Sequence, residues 1–443
     1  MGAATARYCL VFSDRLRLGA KLARTLAPAS RLCINVCGSY GAFMPKIFDI
    51  LQHWIGSGAP PAGRRASDID PAALLPRAPR NIDLRAARKM AAGKRVLVTG
   101  AGGTIGSELC RQLIAFEPEH LTLVDNAEFA LYQIDLELKE AGKAGVISSQ
   151  LTDVCRIEHL KRVFEKARPD VILHAAAFKH VPIVEENRCA GALTNVLGAK
   201  NVFDLSVEQK AESVVFISTD KAVNPTSFMG ATKRIAELYA QALDVAQNDT
   251  RFVTVRFGNV LGSTGSVAPL FTRQILKGGP ITVTHPEIMR FFMTTREAVQ
   301  LVLLAASLDV AEKTIVTHDG RVFVLDMGEP VKILDFAKRM IEAHGLVPGK
   351  DIEIKFTGLR PGEKLFEEIF LDSDSLIKTG ADGVLLASPA MIDLPLLTPR
   401  LSEVIEAASL GEQNALDEAV HHLVPEFSAG GESQSHARGQ TNR

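Results

Sequence analysis

The 443-residue chain has few cysteines, almost no net charge and no long uninterrupted hydrophobic run. Six cysteines are too few for a disulfide scaffold at this length, and none forms a paired CxxC set with zinc-ligand spacing, so we expect reduced thiols and no metal site. The formal net charge of −1 argues against a broad nucleic-acid footprint, so we predict no nucleic-acid partner. No secretory signal is recognisable, and the uncharged stretch 32–45 is too short and glycine-rich to span a bilayer.

The chain changes character near residue 94. Before it lies a Gly- and Pro-rich linker at 56–65, and nothing there carries recognisable chemistry. After it, short apolar runs such as Arg95–Thr99 and Ser213–Ile217 alternate with segments of helical spacing. Apolar strands that return through helices predict a parallel sheet covered on both faces. We therefore expect an α/β fold with a doubly wound, Rossmann-type parallel sheet.

Four segments are predicted from these changes in pattern. Beyond residue 258 the elements become short and mixed, which suits a smaller substrate lobe beside the sheet. The predicted segments are an amino-terminal connecting region and linker (1–90), a main domain including that lobe (91–371), a carboxy-terminal helical extension (372–427) and a disordered tail (428–443).

Glycines follow the first predicted strand in a pattern that suits a dinucleotide pyrophosphate. Gly100 permits the tight turn, Gly103 lets the backbone approach a pyrophosphate, and Gly106 allows close helix–strand packing. The helix start at Thr104 and Ile105 offers unpaired N–H groups to phosphate. Strand, loop and helix in this order predict a dinucleotide site.

Asp125 ends the second predicted strand, 22 residues after Gly103. A carboxylate there accepts bonds from ribose hydroxyls and repels a 2′-phosphate, and no Arg or Lys follows until Lys139, so NAD is favoured over NADP. Asn126 is predicted to contact the cofactor with it. The alternative is an aspartate that only caps the following helix.

Further cofactor contacts are expected at the carboxyl ends of the next strands, where ligands of parallel sheets bind. Asp153 could meet the adenine edge, and small side chains after the fourth strand would let the dinucleotide lie flat. The residues assigned to this groove are Asp153, Val154, Ala175, Ala176, Ala177 and Ser218.

Six segments carry a family resemblance: Thr99–Cys110, His174–Pro182, Ser218–Thr226, Met229–Arg234, Arg256–Gly262 and Gly358–Lys364. Together they resemble the nucleotide-sugar 4,6-dehydratases, the polysaccharide-biosynthesis branch of the extended short-chain dehydrogenases/reductases, over about residues 94–370. The resemblance implies an NAD-dependent enzyme that converts a UDP-N-acetylhexosamine, first of all UDP-N-acetylglucosamine, to a 4-keto-6-deoxy sugar nucleotide. It also implies a homo-oligomer in the cytoplasm, at most peripheral to the inner face of the membrane. Larger members carry membrane spans, but we expect no transmembrane span in this chain.

The resemblance assigns catalytic roles to a strand-end pair and a helix. Asp220 would be the acid for the departing O6 hydroxyl, Lys221 the base for the C5 proton, and Lys233 a ligand of the nicotinamide ribose. Burial would favour the protonated acid and the neutral amine that these roles need. Met229 occupies the usual tyrosine position, and a thioether transfers no proton. The base for the O4 hydroxyl is thus open, and a relay through Thr219 or a water to Asp220 or Lys221 is our hypothesis.

The resemblance also marks a set of cofactor and substrate contacts. Lys179 matches a position touching cofactor and sugar, and Asn195 could order water or simply pack a helix. Besides Lys179, the predicted substrate ligands are Asn259, Arg290, Arg360 and Glu363. For Arg360 and Glu363 the alternative is a solvated charged loop. Two other functions stay open: a nucleotide-sugar epimerase, which leaves the 6-hydroxyl intact, and a non-catalytic NAD- or sugar-binding regulatory protein.

Overall fold

A computed structural model describes residues 74–75, 77, 80–308, 320, 322–370 and 376–428 of the chain. All of them lie in the second of the two units into which the chain divides, residues 63–443. The predictions for residues 1–73 and for the tail after residue 428 fall outside the described residues.

A nine-stranded sheet forms the centre of this unit, with strand order β14-β15-β11-β6-β5-β4-β1-β2-β3. The seven strands from β3 to β11 pair in parallel, whereas β15 runs antiparallel to β11 and to β14. The doubly wound Rossmann-type sheet predicted from the sequence is confirmed. Its strands are β1 (Arg95–Thr99), β2 (His120–Asp125), β3 (Ile147–Leu151), β4 (Val171–His174), β5 (Ser213–Ile217), β6 (Arg251–Arg256), β11 (Val322–Leu325), β14 (Ile377–Lys378) and β15 (Val384–Ala387).

Helices cover both faces of the sheet. A turn of π-helix, Leu193–Leu197, joins α6 to α7, and a short 3₁₀ turn, Asp220–Ala222, follows β5. The helices are α1 (Arg85–Ala91), α2 (Thr104–Ile114), α3 (Glu128–Leu138), α4 (Ile157–Ala167), α5 (Val181–Glu186), α6 (Arg188–Ala192), α7 (Gly198–Glu208), α8 (Phe228–Ala246), α9 (Val267–Leu276), α10 (Thr295–Ser307), α11 (Ile333–Ala343), α12 (Leu394–Leu410) and α13 (Gln413–Leu423).

Alternating side chains of β1 pack into two separate hydrophobic cores, one on each face of the sheet. Val96 and Val98 pack into the cluster on one face with Leu109 of α2, while Leu97 packs into the cluster on the other face with Phe203 of α7. Because both faces of the sheet are covered, Val96–Thr99 of β1 and all four residues of β4 are buried, and such strands consist largely of continuous apolar residues. This is why the sheet could be predicted from the pattern of apolar runs along the sequence.

Helix α8 is buried from Phe228 to Leu243. Its polar side chains are therefore paired: Glu237 accepts hydrogen bonds from Arg256 on β6 at 2.6 and 2.8 Å and lies 3.3 Å from Arg234. A buried carboxylate between guanidinium groups retains its charge, and the pKa of Glu237 is lowered, because the two arginines outweigh the opposing effect of burial. The network fixes α8 against the strand ends where the predicted site lies.

A smaller lobe packs its own apolar cluster around Phe271, Phe292 and Phe336. Three two-stranded ladders build it, β7 with β10 and β8 with β13 in parallel and β9 with β12 antiparallel. Their strands are β7 (Asn259–Leu261), β8 (Ile281–Val283), β9 (Met289–Arg290), β10 (Phe292–Thr294), β12 (Val331–Lys332) and β13 (Ile354–Phe356).

The segments flanking residues 91–371 also join the unit. Arg77 contacts the buried carboxylate of Glu297 at 2.7 Å, and Arg80 contacts Asp326 and Asp382. Strands β14 and β15 lie inside the predicted helical extension, followed by α12 and α13, which pack on α8 and α6 through the second core. None of the helices in the described ranges is long and apolar enough to cross a membrane.

Candidate active site

The glycine loop between β1 and α2 lies directly against the chain that follows β4. Gly100 has a positive φ of 66°, and a Cβ there would come within 2.7 Å of the backbone nitrogen of Ala176. A Cβ on Gly106 would overlap the carbonyl oxygen of Gly100. Gly103 is the N-cap of α2, and the helix begins at Thr104. The loop thus forms a cradle that side chains at these glycines would fill.

Asp125 supports this loop from the end of β2. Its Oδ2 accepts a 2.8 Å hydrogen bond from the backbone N–H of Gly102, and its Oδ1 accepts one of 2.9 Å from Ala127 before α3. Each carboxylate oxygen keeps a second lone pair that can meet a ribose hydroxyl. Gly102 was not among the predicted residues, although it stands in the same glycine run. Its neighbour Asn126 is exposed.

Asp153 and Val154 lie just after β3. The Oδ1 of Asp153 accepts a 2.9 Å bond from the N–H of Cys155, and the carbonyl oxygen of Val154 accepts one from Asn201. The two residues are held at the carboxyl edge of the sheet, beside β2 and its Asp125. They form the far end of the predicted groove.

A cavity of about 390 Å³ lies between the carboxyl ends of β4 to β6 and the lobe. Most of the predicted catalytic and substrate residues line it, although they come from distant parts of the chain. Several predicted cofactor contacts line it as well. On the side of the sheet, its helices and its loops the lining includes Ile105, Ala175, Ala177, Lys179, Ser218, Thr219, Lys221, Met229 and Lys233, and on the side of the lobe it includes Asn259, Arg290, Arg360 and Glu363.

Asp220 lies behind the cavity wall, fully buried. Its Oδ1 accepts hydrogen bonds from the Thr219 hydroxyl at 2.8 Å and from the Lys221 ammonium at 3.1 Å. Its Oδ2 has no hydrogen-bond partner among the described residues. Thr219 and Lys221 line the cavity and therefore connect this carboxyl group with any ligand there.

The charge states of this pair follow from burial and from neighbouring charges. Burial raises the pKa of Asp220, and the neighbouring Lys221 opposes the rise. For Lys221 the expected effect of burial is opposed by neighbouring charges. Burial alone would lower the pKa of Lys221, but the carboxylates of Asp220 and Glu367 outweigh it and raise that pKa above its usual value. Glu367 was not among the residues predicted from the sequence.

Glu367 is this missed residue. Its Oε1 lies 3.4 Å from the Nζ of Lys221 and 3.5 Å from the Nε of Arg290. In the sequence it stands in Phe366-Glu367-Glu368, which reads as a solvated surface, and nothing local marks it as buried. The signal that could have found it is its position three residues after the Gly358–Lys364 motif.

Lys233 and Met229 face the cavity from α8. The Nζ of Lys233 donates a 2.6 Å hydrogen bond to the carbonyl oxygen of Ile217 and lies 4.0 Å from the ring centroid of Phe216. Burial lowers the pKa of Lys233 to about 7. Met229 is 3% exposed, and Tyr239 on the same helix donates its hydroxyl to Asp204 instead. A phenol is therefore missing from the described part of the cavity wall.

Asn195 and Ser218 are engaged in internal contacts. The amide of Asn195 accepts from the N–H of Phe178 at 2.8 Å and donates to Phe178 O and to Thr232 at 3.0 Å each. Both amide protons are used, which favours the packing role left open in the sequence over the ordering of water. The Ser218 hydroxyl donates to Glu237 at 2.6 Å, so its proton is already used within the protein.

Residues 360–368, the bridging segment, connect the lobe with the loop after β5. On the lobe side Arg290 donates to the carbonyl oxygens of Lys364 and Leu365, and the Oε1 of Glu363 accepts from Thr284. On the other side Lys364 donates to the carbonyl oxygen of Val223 at 3.0 Å. The predicted substrate ligands Arg360 and Glu363 thus lie on an ordered segment that connects the two parts of the unit.

The start of α9 is a second element that sequence reasoning missed. Its N-cap residue Ser266 lines the cavity, and its hydroxyl oxygen is buried with no hydrogen-bond partner among the described residues. The preceding loop reaches the glycine cradle, since the N–H of Thr264 donates to the Thr104 hydroxyl at 3.2 Å. The signal was present as Gly-Ser-Thr-Gly-Ser at 262–266, before a helical run.

Comparison with known proteins places this site in a family. The model of the family described as "Polysaccharide biosynthesis protein" matches residues 96–389. The chain is 44% identical to the capsular polysaccharide biosynthesis protein CapD of Staphylococcus aureus over 78% of this chain and 55% of CapD, so it spans about half the length of that relative. It is 32% identical to a UDP-N-acetylglucosamine 4,6-dehydratase (inverting) of Campylobacter jejuni, over 67% of this chain and 84% of that protein.

Two further similarities bear on the fold and on the alternatives. A UDP-glucose 4-epimerase of Rickettsia akari is 30% identical over 63% of this chain and 79% of its own length. The X-ray structure of Pen from Bacillus thuringiensis superposes with a TM-score of 0.60 at 31% identity, over 68% of this chain and 89% of Pen. The resemblance deduced from six sequence segments is confirmed.

Proposed function

The chain belongs to the polysaccharide biosynthesis protein family, and from that premise we propose that it is an NAD-dependent nucleotide-sugar 4,6-dehydratase. The substrate we propose is a UDP-N-acetylhexosamine, first of all UDP-N-acetylglucosamine. One observation carries the proposal: Lys221, which contacts the buried Asp220 at 3.1 Å, lines one cavity together with Lys233 and Met229. Such a pair suits removal of a proton and loss of a hydroxyl from neighbouring carbons.

The residues present fit NAD. The cradle of Gly100, Gly102 and Gly106 leaves no room for side chains, as a pyrophosphate approached by backbone requires. Asp125 offers carboxylate oxygens where a ribose would lie, and Lys233 would hold the nicotinamide ribose. When bound, NAD supplies the hydride chemistry, accepting hydride from C4 of the sugar and returning it to C6.

The protein's own task is to orient the sugar and to move protons. Lys221, as the free amine, removes the C5 proton, so it must first lose the proton that its two carboxylate neighbours favour. Asp220, whose pKa burial raises, delivers a proton to the departing O6 hydroxyl, which leaves as water. The proton of the C4 hydroxyl passes through the Thr219 hydroxyl or a bound water. With the hydride back at C6, the Lys221 ammonium returns a proton to C5, and the proton from the C4 hydroxyl replaces the one that Asp220 gave up. The net change is therefore the loss of one water.

Groups that can bind the anionic UDP moiety line the cavity on both its sheet side and its lobe side. Arg360 and Lys179 face it as cations, and the N-terminus of α9 adds the unpartnered Ser266 hydroxyl. Glu363, whose Oε2 accepts from the backbone N–H of Arg360, keeps that loop in place and is proposed to meet the uridine ribose. These contacts would bind the nucleotide without taking part in proton transfer.

The absence of a phenol favours dehydration over epimerisation. A 4-epimerase of this superfamily depends on a tyrosine where this chain has Met229, and Tyr239 is committed to Asp204. A purely binding protein would not need a buried carboxyl group beside an amine, because burial of such groups costs stability. The epimerase is therefore the second candidate.

Product mass separates these functions. The protein is incubated with NAD and UDP-N-acetylglucosamine, and the products are analysed by mass spectrometry, with the Lys221→Gln variant as the control. Loss of one water by the native chain, absent in the variant, is the expected result. An isomer of unchanged mass would establish an epimerase, and an unchanged sugar, with UDP-glucose also unchanged, would contradict both enzyme functions.

We extend the proposal to the setting of the enzyme and its segments. We place it in the cytoplasm, at most peripheral to the inner face of the membrane, as a homo-oligomer, with residues 91–371 carrying the catalysis and residues 1–90 connecting it to its surroundings. Light scattering during size-exclusion chromatography tests the assembly, and a monomeric mass at working concentration would refute it.

A further inference from the structure

Glu367 lies on the bridging segment and contacts the proposed base. One of its oxygens lies within 3.5 Å of two cations, Lys221 and Arg290, and its other oxygen has no hydrogen-bond partner among the described residues. We propose that Glu367 is a positioning residue for the Asp220–Lys221 pair, holding the Lys221 ammonium at the cavity wall until substrate chemistry requires the amine. This inference rests on the proposed function, because it concerns the proton that Lys221 must lose.

The charges around Lys221 make this contact decisive. The groups that face its Nζ are Asp220 at 3.1 Å from the neighbouring position, Glu367 at 3.4 Å from the bridging segment and the amide oxygen of Asn259 at 3.3 Å. Arg290 on β9 is the opposing charge, and it lowers the pKa of Lys221. Since burial raises the pKa of Asp220, Glu367 is the more readily ionised of the two carboxyl groups.

Glu367 stays ionised despite its burial. Burial alone would raise its pKa, but Lys221 and Arg290 outweigh this and lower that pKa. A buried carboxylate that loses such partners is strongly destabilised, so the three groups hold each other in place. The side chain is 3% exposed, and therefore water screens the contact little.

The backbone that carries Glu367 is anchored on both sides. Arg290 donates to the carbonyl oxygens of residues 364 and 365, Thr226 donates to the carbonyl oxygen of Gly362 at 3.1 Å, and Lys364 reaches Val223. The carboxylate thus approaches Lys221 from a segment that is held both to the lobe, through Arg290, and to the loop after β5, through Val223 and Thr226. That same segment begins at Arg360, which faces the nucleotide end of the cavity.

The inference is tested on the ligand-free protein without any turnover. Competitive acetylation across about pH 6 to 11, read by mass spectrometry of the peptide that contains Lys221, measures how much of that amine is neutral. The variants are Glu367→Gln and Glu367→Asp. The matched control is Glu368→Gln, whose carboxylate is exposed and contacts Asn224 and Lys364 but not Lys221.

Removal of the Glu367 charge should make Lys221 neutral at lower pH. We expect Glu367→Gln to raise the neutral fraction on the order of tenfold at a given pH, Glu367→Asp to raise it less, and Glu368→Gln to leave it unchanged. An unchanged labelling profile in folded Glu367→Gln overturns the proposal. If that variant does not fold, an unchanged profile in Glu367→Asp overturns it equally.

Turnover provides the second readout and separates this inference from the proposed function. If Lys221 acts as the neutral amine, the rising limb of the kcat–pH profile moves to lower pH in Glu367→Gln but not in Glu368→Gln. A labelling shift without dehydration by any form would support Glu367 and contradict the dehydratase. Dehydration without a labelling shift would support the dehydratase and contradict the role of Glu367.

Discussion

Replacement of Asp220 by asparagine should divide the proposed reaction in two. The amide has the shape of the carboxyl group and can still accept the 2.8 Å bond from Thr219, but it has no proton to give to the departing O6 hydroxyl. Lys221 keeps its contact with Glu367. The variant is therefore expected to fold, to bind NAD and to oxidise C4, and then to stop before water leaves.

The size of the effect follows from the role. Loss of a general acid lowers the rate by about 10²- to 10⁴-fold, which corresponds to about 3 to 5 kcal/mol of transition-state stabilisation. The fold should be little affected, because the change removes a carboxyl group that is fully buried and whose Oδ2 has no hydrogen-bond partner among the described residues. The melting temperature should stay within a few degrees of that of the native chain. A shift of that size corresponds to a change of roughly 1 to 2 kcal/mol in the free energy of unfolding for a unit of this size.

The assay follows the near-ultraviolet absorbance of reduced nicotinamide after rapid mixing of holoenzyme with UDP-sugar. In the native chain the signal should rise briefly, whereas in Asp220→Asn it should persist while product of reduced mass fails to form. Asp204→Asn is the control, because Asp204 accepts from Tyr239 outside the cavity. Loss of water at the native rate would refute the acid role, and a folded, NAD-binding variant that forms no reduced nicotinamide would move Asp220 to the oxidation step.

Three further predictions concern stability and cofactor binding. Burial, with a smaller effect of Lys233, lowers the pKa of His174 to about 3. The free energy of unfolding should therefore be highest above about pH 6.5 and fall by on the order of 4 kcal/mol towards pH 3. Urea titrations at several pH values should show a weaker pH dependence of this free energy in His174→Gln, and an equal dependence in both proteins would contradict the reasoning. Lys233→Met should abolish turnover. It should nevertheless raise the free energy of unfolding by about 1 to 3 kcal/mol at or below pH 7, because burial lowers the pKa of the amine to about 7 and the charged form therefore costs stability in the folded state. A lower melting temperature of the variant would argue against this reasoning. Gly106→Ala should weaken NAD binding at least about tenfold in calorimetric titration, since its Cβ meets the carbonyl oxygen of Gly100; native affinity would refute the cradle.

Much of the fold could be predicted from the sequence because its signals are local. Buried parallel strands such as Val171–His174 are continuous apolar runs, and the glycine loop stands directly between a strand and a helix. The position of Asp220 and Lys221 at a strand end then followed from chain order, because ligands of such sheets bind at that edge.

The rest depends on contacts between distant segments. Glu367 is 146 residues from Lys221 in the chain, so no spacing could show that its carboxylate would raise the pKa of that amine. Asn195 looked available for water because its partner Phe178 lies in a loop whose path only the packed structure defines. Strands β14 and β15 are two and four residues long, too short to stand out from their surroundings.

The arginines before α1 and the strand β15 have a practical consequence for anyone who expresses part of this chain. A fragment cut to residues 91–371 would leave the Glu297 carboxylate, 1% exposed, without Arg77 and Arg80. It would also uncover the side of β11 that β15 now occupies, leaving a row of free backbone groups able to pair with another molecule. Such a fragment would carry every proposed catalytic group and still be prone to aggregate, so an expressed fragment should begin before Arg77 and continue past α13.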